Sequence, residues 1–356
     1  MEIVDAMDIQ RRQITVRWQD MSTGEIRRRR IIPAARGPLR EWLSQFEGRD
    51  AHIALEATTG WRFVVEEMQR IGVTPHLAEP AETSVRRGPK RRAKTDDKDC
   101  DHMVDLLVQE RLPESWIPPE HILELRARVR LRKALLDERR QWQQRIQAQL
   151  YHQGVPPGIG LSTLQGRARL AEAKLSPAGR QVITVGVAML DALDDQLRPL
   201  DVQQRSFAKS QPGCRALMGL YGVGGLTSVT VLAELGDCRR FSSSDDAVRY
   251  AGLDITVYDS NGKRPPGHLS RQGPEVLRWA LYEAAQSAAR KTWPDYAYYL
   301  KSKDRIHHNR ACLAVARKLC RRAYHILKEL GDTALQPVEA EIDSAPASSG
   351  RVEVAA

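Results

Sequence analysis

Residues 2–19 read EIVDAMDIQRRQITVRWQ. The first eight suit a short strand. From 13 to 19 apolar and polar residues alternate, with Ile14, Val16 and Trp18 on one face, the period-two pattern of a half-buried strand. Ser22-Thr23-Gly24 marks a turn, and 25–32 (EIRRRRII) can return as a third strand. Pro38 opens a helix holding Leu39, Trp42, Leu43 and Phe46 at helical spacing. A buried strand follows at 52–57 (HIALEA), broken by Thr58-Thr59-Gly60. A helix then takes Phe63, Val64, Met68 and Ile71, with Gly72 as its stop, and 73–78 (VTPHLA) suits one more strand. Three strands, a helix, then strand, helix and strand is an element order that a ribonuclease H-like domain shares with other α/β folds.

Beyond this the chain changes character. Residues 84–94 (SVRRGPKRRAK) are basic and contain Gly88-Pro89, so a loop is expected there. Thr95 can cap a helix over 96–109. Pro118-Pro119 precedes 120–150, which has neither Gly nor Pro and carries Leu125, Val129, Leu136, Trp142, Ile146 and Leu150 at roughly heptad spacing. That is the pattern of a long helix, and a second runs through about 179–208. The two can pack as an intramolecular hairpin or as a coiled coil between subunits, and periodicity does not choose. A third region, mostly helical, starts near Gln211-Pro212-Gly213. The expected organisation is an α/β domain over 1–113, a long-helix segment over 114–209, a helical domain over 210–333 and a disordered tail over 334–356.

Composition narrows the partners. With 42% hydrophobic residues in 356, the chain can bury real cores, which excludes a wholly disordered protein. No apolar run approaches the roughly 20 residues of a membrane helix. The opening Met-Glu-Ile-Val-Asp lacks a basic and then apolar leader, so a cytoplasmic location with reduced thiols is expected. The net charge is +10. The segment from Ala334 on is net acidic, so the remainder is more basic still. Such an excess favours a polyanionic partner, because each neutralised phosphate releases counterions.

Four acids stand where acids are costly. Asp8 lies in the first strand and Glu56 at the end of the buried strand. Asp96 and Asp99, three apart at a helix start, share one face. Acids within apolar strands need a partner or a cation. Four carboxylates from strand ends and one helix turn make an oxygen-rich set suited to Mg²⁺ or Mn²⁺. Taken singly, each is an ordinary surface acid or, for Asp96, a helix-start acid.

Together these residues resemble the DEDD transposases of bacterial insertion sequences, the IS one-ten and IS eleven-eleven group. The resemblance rests on Asp8, on Leu55-Glu56-Ala57-Thr58-Thr59-Gly60, and on Lys94-Thr95-Asp96 with Asp99. Downstream it continues through Gly222-Val223-Gly224, Glu234-Leu235-Gly236-Asp237, Tyr250-Ala251-Gly252-Leu253, Ser260-Asn261-Gly262, Gly267-His268-Leu269-Ser270-Arg271-Gln272-Gly273 and Leu277-Arg278. The start departs from the family pattern: Ala6-Met7-Asp8-Ile9 stands for Gly-Ile-Asp-Val, leaving Asp5 as an alternative to Asp8, with the spacing favouring Asp8. Asp259-Ser260-Asn261-Gly262 stands for the family's Ser-Ser-Gly, with Ser270 competing against Ser260.

The resemblance implies a RuvC-like domain with a metal-binding tetrad of Asp8, Glu56, Asp96 and Asp99, acting with a C-terminal transposase domain whose nucleophile is Ser260. It implies strand cutting and rejoining through a phosphoserine link on donor and target DNA. A structured bridge RNA would guide the reaction. Exchange of several strands implies a homodimer or homotetramer, and no membrane is involved. The competing readings are a RuvC-type nuclease that hydrolyses branched DNA, and a non-catalytic nucleic-acid-binding protein.

Candidate backbone contacts are Arg86, Arg87, Lys90, Arg91, Arg92 and Lys94, with Lys263 and Arg271. Arg27 to Arg30 and Lys318, Arg321 and Arg322 are further candidates; such contacts give affinity rather than sequence choice. The glycines at 219–225 lack the Lys-Ser/Thr of a P-loop. Gly222 and Gly224 suit a helix-hairpin-helix-like element whose backbone N–H groups grip phosphate, or else a tight turn between packed helices. Ser242-Ser243-Ser244 reads as a helix-capping loop. Trp279 and Trp293 read as packing residues, and His307 and His308 carry no metal-ligand pattern.

Overall fold

The computed structural model describes residues 1–86, 96–255 and 267–338; the side chains of 96 and 97 also lie outside that description. The chain divides into two units, Met1–Ile117 and Pro118–Ala356.

The first unit is a mixed sheet with helices. Its elements are β1 (Ile3–Ile9), β2 (Ile14–Asp20), β3 (Ile26–Ile31), α1 (Arg36–Leu43), β4 (Ala51–Glu56), α2 (Trp61–Ile71), β5 (Thr74–Ala78), α3 (Pro80–Arg86) and α4 (Asp96–Val108). The strand order is β3-β2-β1-β4-β5. The first three strands pair antiparallel, while β4 and β5 run parallel to β1. Alternation sends successive side chains to opposite faces. Ile3, Met7, Ile14, Val16, Ile53 and Leu55 bury against Leu39 and Leu43 of α1 and Val64 and Met68 of α2. Val4, Ala6, Ala54 and Ala78, smaller residues, bury against Cys100, Met103, Val104 and Leu107 of α4. Gly72 ends α2 at φ +85°, the left-handed stop expected of it.

The expected loop over 84–94 begins later than its sequence suggests. Ser84, Val85 and Arg86 close α3. Pro80 starts that helix, the Glu79 carboxylate accepts from the Glu82 N–H at 2.6 Å, and Thr83 Oγ1 donates to the Glu79 carbonyl at 2.7 Å. Arg87, Lys90, Arg91, Arg92, Lys94 and Thr95 lie outside the described residues.

The second unit is mostly helical. α5 (Glu120–His152) and α7 (Pro177–Ser210) are the two long helices, with α6 (Leu164–Glu172) between them. They form a hairpin within one chain. Ile146 and Leu150 meet Ile183 and Leu190 in a common apolar cluster, while Arg132 pairs with Asp201 and Arg139 with Asp194, each at 2.5 Å. Gly186 lets the helices approach: a Cβ there would stand 2.7 Å from Ile146 Cγ1.

The remaining helices are α8 (Pro212–Leu217), α9 (Gly225–Leu235), α10 (Ser244–Tyr250), α11 (Glu275–Gln286) and α12 (Tyr296–Leu330). The last is interrupted at His307, where φ is +62°. Their core is small-residue rich, with Ala247, Ala285, Cys312, Ala316 and Cys320 fully buried. Glu234 of α9 is fully buried and held by Arg130 of α5 at 2.7 and 2.9 Å. The segment expected to be disordered from 334 begins ordered: Ala334 is buried, its carbonyl accepts from Gln211 Nε2 at 2.8 Å, and His121 bonds the Leu335 carbonyl. Ala334 belongs to the apolar core, which its position after a polar turn conceals. Residues 339–356 lie outside the described residues. Among the described residues no helix is long and apolar enough to cross a membrane.

Candidate carboxylate site and nucleic-acid interface

The sheet register brings two of the four expected acids together. β1 and β4 pair in parallel from Ile3 opposite Ala51 to Met7 opposite Leu55. One residue further on, at the strand ends, stand Asp8 and Glu56. Val4 and Ala6 in β1 and Ala54 in β4 face α4, so alternation turns Asp8 and Glu56 to that same face. Both are half-buried, and Gln10 Nε2 donates to Asp8 Oδ2 at 3.1 Å.

α4 carries the other two in its first turns. Cys100 Sγ donates to the Thr15 carbonyl at 3.6 Å, and Thr15 pairs with Asp8 across β1 and β2. This contact sets the first turn of α4 level with Asp8. Asp99, next to Cys100, is half-buried there; Asp96 opens the helix one turn earlier. Asp101, on the same turn, accepts from Arg17 at 3.0 Å and Arg28 at 2.9 Å.

Asp5, the alternative first acid, points the other way. It alternates with Ile3 and Met7 toward α1 and α2 and is fully buried. Burial pushes its pKa well above the usual carboxylate range, outweighing nearby backbone N–H groups and Arg17.

Asp8, Glu56 and Asp99 thus share one face and one end of the sheet without forming a closed cage. Among the described residues no three His, Cys, Asp or Glu side chains are gathered as a metal site. As a donor set they fit a hard divalent cation in kind, being carboxylate oxygens with access to water or phosphate.

In the second unit, Ser260 and Lys263 lie outside the described residues. Ser270 is described: its hydroxyl donates to the Asp254 carboxylate, and its N–H to the Asp254 carbonyl at 3.1 Å. Ser243 and Asp246 form the capping box of α10, so the 242–244 segment caps a helix as expected, with Ser243 as the cap itself. Arg271 is exposed, with φ +53°.

The glycine-rich turn between α8 and α9 adjoins a cavity of about 510 Å³ bounded by Leu220, Tyr221, Gly224, Ser287 and Trp293. Gly222 has φ +82°, and a Cβ would stand 2.4 Å from the Ala284 carbonyl. That glycine is explained by packing alone. Gly224 caps α9 in extended conformation with nothing near its missing side chain. Trp293 packs edge-on against Tyr221 at 5.3 Å.

Several expected phosphate-binding cations have protein partners. Arg86 donates to the Arg111 carbonyl, Lys318 and Arg322 hold Asp295, and Arg321 pairs with Asp245. Isolated basic residues in a sequence do not reveal such partners, which lie from 23 residues (Lys318 to Asp295) to 76 residues (Arg321 to Asp245) away.

A mixed α/β unit with acids at its strand ends, followed by a mostly helical unit, is consistent with a DEDD transposase. Family comparisons agree. Residues 6–153 match the DEDD transposase model of the IS110 group, and residues 214–300 match the model described as the transposase IS116/IS110/IS902 family. The chain belongs to the IS110 family of DEDD transposases. It is 26% identical over 212 residues to a transposase for insertion sequence element IS1111A from Coxiella burnetii, covering 55% of each chain. It is 29% identical to a putative transposase, y4rJ, from Sinorhizobium fredii, covering 61% of this chain and 60% of that one. To the transposase for insertion sequence element IS1328 from Yersinia enterocolitica it is 23% identical, covering 76% of this chain and 82% of the relative. The chain spans little more than half the length of the first two relatives.

Proposed function

We propose that this protein is the transposase of an insertion sequence, cutting and rejoining DNA strands through a phosphoserine link. The carrying observation is the adjacency of Asp8 and Glu56 on the face where α4 begins, within a chain matching both family models. In this reading the first unit is ribonuclease H-like, and Asp8, Glu56, Asp96 and Asp99 hold Mg²⁺ or Mn²⁺. The cation, when bound, offsets charge on the scissile phosphate.

Ser260 is the proposed nucleophile. Its Oγ–P bond forms as a backbone P–O bond breaks; the serine proton is lost and the leaving oxygen takes one up. A phosphodiester is exchanged for a phosphodiester, so rejoining needs no external energy source. Carboxylates without the serine would activate water and hydrolyse. A structured bridge RNA pairing with donor and target DNA, and a homodimer or homotetramer, complete the reading; the cations and the glycine turn would grip backbone phosphate.

A second nucleophile has its own support. Ser270 already donates to a carboxylate, Asp254, an arrangement that can accept its proton.

Denaturing gels of the full chain with end-labelled element DNA and the element's non-coding RNA test these readings. A covalent adduct lost in Ser260→Ala and in Asp8→Ala is expected. Loss in Ser270→Ala with persistence in Ser260→Ala transfers the role to Ser270. Cleavage that survives both serine variants and needs Asp8 indicates a hydrolytic nuclease, and binding without cleavage indicates a non-catalytic protein.

A further inference from the structure

The four consecutive arginines of β3 do not form one patch. β3 is an edge strand, and its register on β2 sets Arg30 opposite Thr15, Arg29 opposite Val16, Arg28 opposite Arg17 and Arg27 opposite Trp18. Directly opposed residues share a face. Val16 and Trp18 face α1 and α2, so Arg27 and Arg29 do too. Arg28 and Arg30 face α4, as the Arg28–Asp101 ion pair independently requires.

One row of the sheet then reads Arg30, Thr15, Asp8, Glu56, the last being the strand-end neighbour of Asp8. Arg30 stands two strands from Asp8, about 10 Å between backbones. It is exposed, and no ion pair engages it among the described residues. Behind it, Arg17 and Arg28 share the single carboxylate of Asp101, which leaves that trio with one positive charge in excess. A polyanion approaching Asp8 and Glu56 meets two like charges, and cations beside them lower that barrier.

We propose that Arg30, with Arg28 behind it, holds the phosphodiester backbone of a nucleic-acid strand against the carboxylate face, as positioning residues, while Arg27 and Arg29 take no part. This rests on the reading that Asp8 and Glu56 act on DNA. A bland role exists for arginines on an edge strand, namely blocking edge-to-edge pairing. That role treats all four alike, so the test compares the two faces.

All five native cysteines are buried in the full chain, so a cysteine introduced on β3 can be labelled selectively. Arg30→Cys and Arg29→Cys are each coupled to an azidophenacyl photocrosslinker and irradiated with a fluorescein-labelled random-sequence duplex. An adduct from position 30 well above that from position 29 is expected. Equal yields, or none from position 30, overturn the proposal. In a parallel binding titration Arg30→Gln should weaken duplex affinity by about tenfold, the scale of one charge-assisted hydrogen bond. Arg30→Lys should recover most of that loss, and Arg29→Gln should fall well short of it. Equal losses in Arg29→Gln and Arg30→Gln also overturn it. Crosslinking requires no chemistry at phosphorus. A chain that crosslinks at position 30 yet forms no serine adduct therefore keeps this strip and loses the strand-transfer reading, and the converse result does the reverse.

Discussion

Asp8 and Asp5 are three residues apart on one strand and face opposite sides of the sheet. Asp8 stands beside Glu56 under the start of α4, whereas Asp5 is fully buried among Ile3, Met7 and the apolar faces of α1 and α2. Three-residue spacing puts the two carboxyls on one face of a helix but on opposite faces of a strand. Positions 96 and 99 have the same spacing but open a helix, where it carries the opposite meaning.

The two strand acids should answer mutation oppositely. Asp5 has a folded-state pKa raised above its unfolded value, so its favourable contribution is complete only below the unfolded pKa and is lost as pH rises through the folded one. At neutral pH it costs stability. Asp5→Val, nearly volume-conserving, should raise the unfolding midpoint of the full chain, by about 1–3 kcal/mol at pH 7 and less at pH 4. Asp8→Asn should leave the midpoint nearly unchanged and remove metal-dependent cleavage. Thermal melts at the two pH values, with a cleavage assay, check this; a stable Asp5→Val chain without activity would return Asp5 to the site.

Glu67 makes the opposite pH prediction. It is fully buried on α2, with Arg36 and Arg40 at 2.9 Å and Arg70 at 3.1 Å. The Arg40 hydrogen bond leads the effects holding its carboxyl down at about 2, and Arg36 adds to it. A depressed pKa stabilises above the unfolded value and loses that contribution as pH falls toward the folded one. Amide protection factors in α2, taken relative to intrinsic exchange at each pH, should therefore fall between about pH 4.5 and pH 2 in the wild-type chain. Glu67→Gln should quicken exchange at neutral pH, at a cost of about 1–3 kcal/mol, and flatten the acid limb. An unchanged acid limb in Glu67→Gln would mean that other carboxylates carry the effect.

Much of this architecture is legible from periodicity. Alternation marks β2, and heptad spacing marks α5, because each buries a regular apolar stripe. α3 escapes because PAETSVR has no such stripe; its buried side chain is Thr83, and its cap comes from Glu79 outside it. Choosing Asp8 over Asp5 requires knowing which face α4 covers, and pairing Asp8 with Glu56 requires the inter-strand register. Both depend on contacts between residues about 50 or more positions apart, which no local pattern contains. The hairpin of α5 and α7 is likewise decided by Arg132–Asp201 and Arg139–Asp194, not by the heptads.

That hairpin gives a sharp packing test. At Gly186 a bare Cβ meets Ile146 Cγ1 at 2.7 Å. Gly186→Ala gains about 1 kcal/mol of helix propensity and loses a similar amount to the clash, so it should be nearly neutral. Gly186→Leu has no such balance and should cost about 1–3 kcal/mol. Ile146→Ala in the same chain should recover part of the Leu penalty as a favourable coupling in a double-mutant cycle. Additive costs would show that the helices do not meet at this point.

The glycine turn offers a way to separate phosphate gripping from simple turn formation, because its glycines differ. Gly222 needs its φ of +82° and abuts the Ala284 carbonyl. Gly222→Ala should thus destabilise the second unit by about 2–4 kcal/mol whatever the turn does, and reveals nothing about phosphate. Gly224 has φ −87° and ψ −178°, open to any residue, and its Cβ would meet nothing within 4 Å. Gly224→Ala should therefore fold normally, as Gly and Ala differ there only by a methyl beside the first N–H groups of α9. If those N–H groups hold a phosphate, the methyl intrudes on the approach, and duplex affinity should fall several-fold with a melting curve like wild type. If the turn merely connects two packed helices, affinity should match wild type within error. Measuring binding and melting on the same Gly224→Ala preparation separates the two readings.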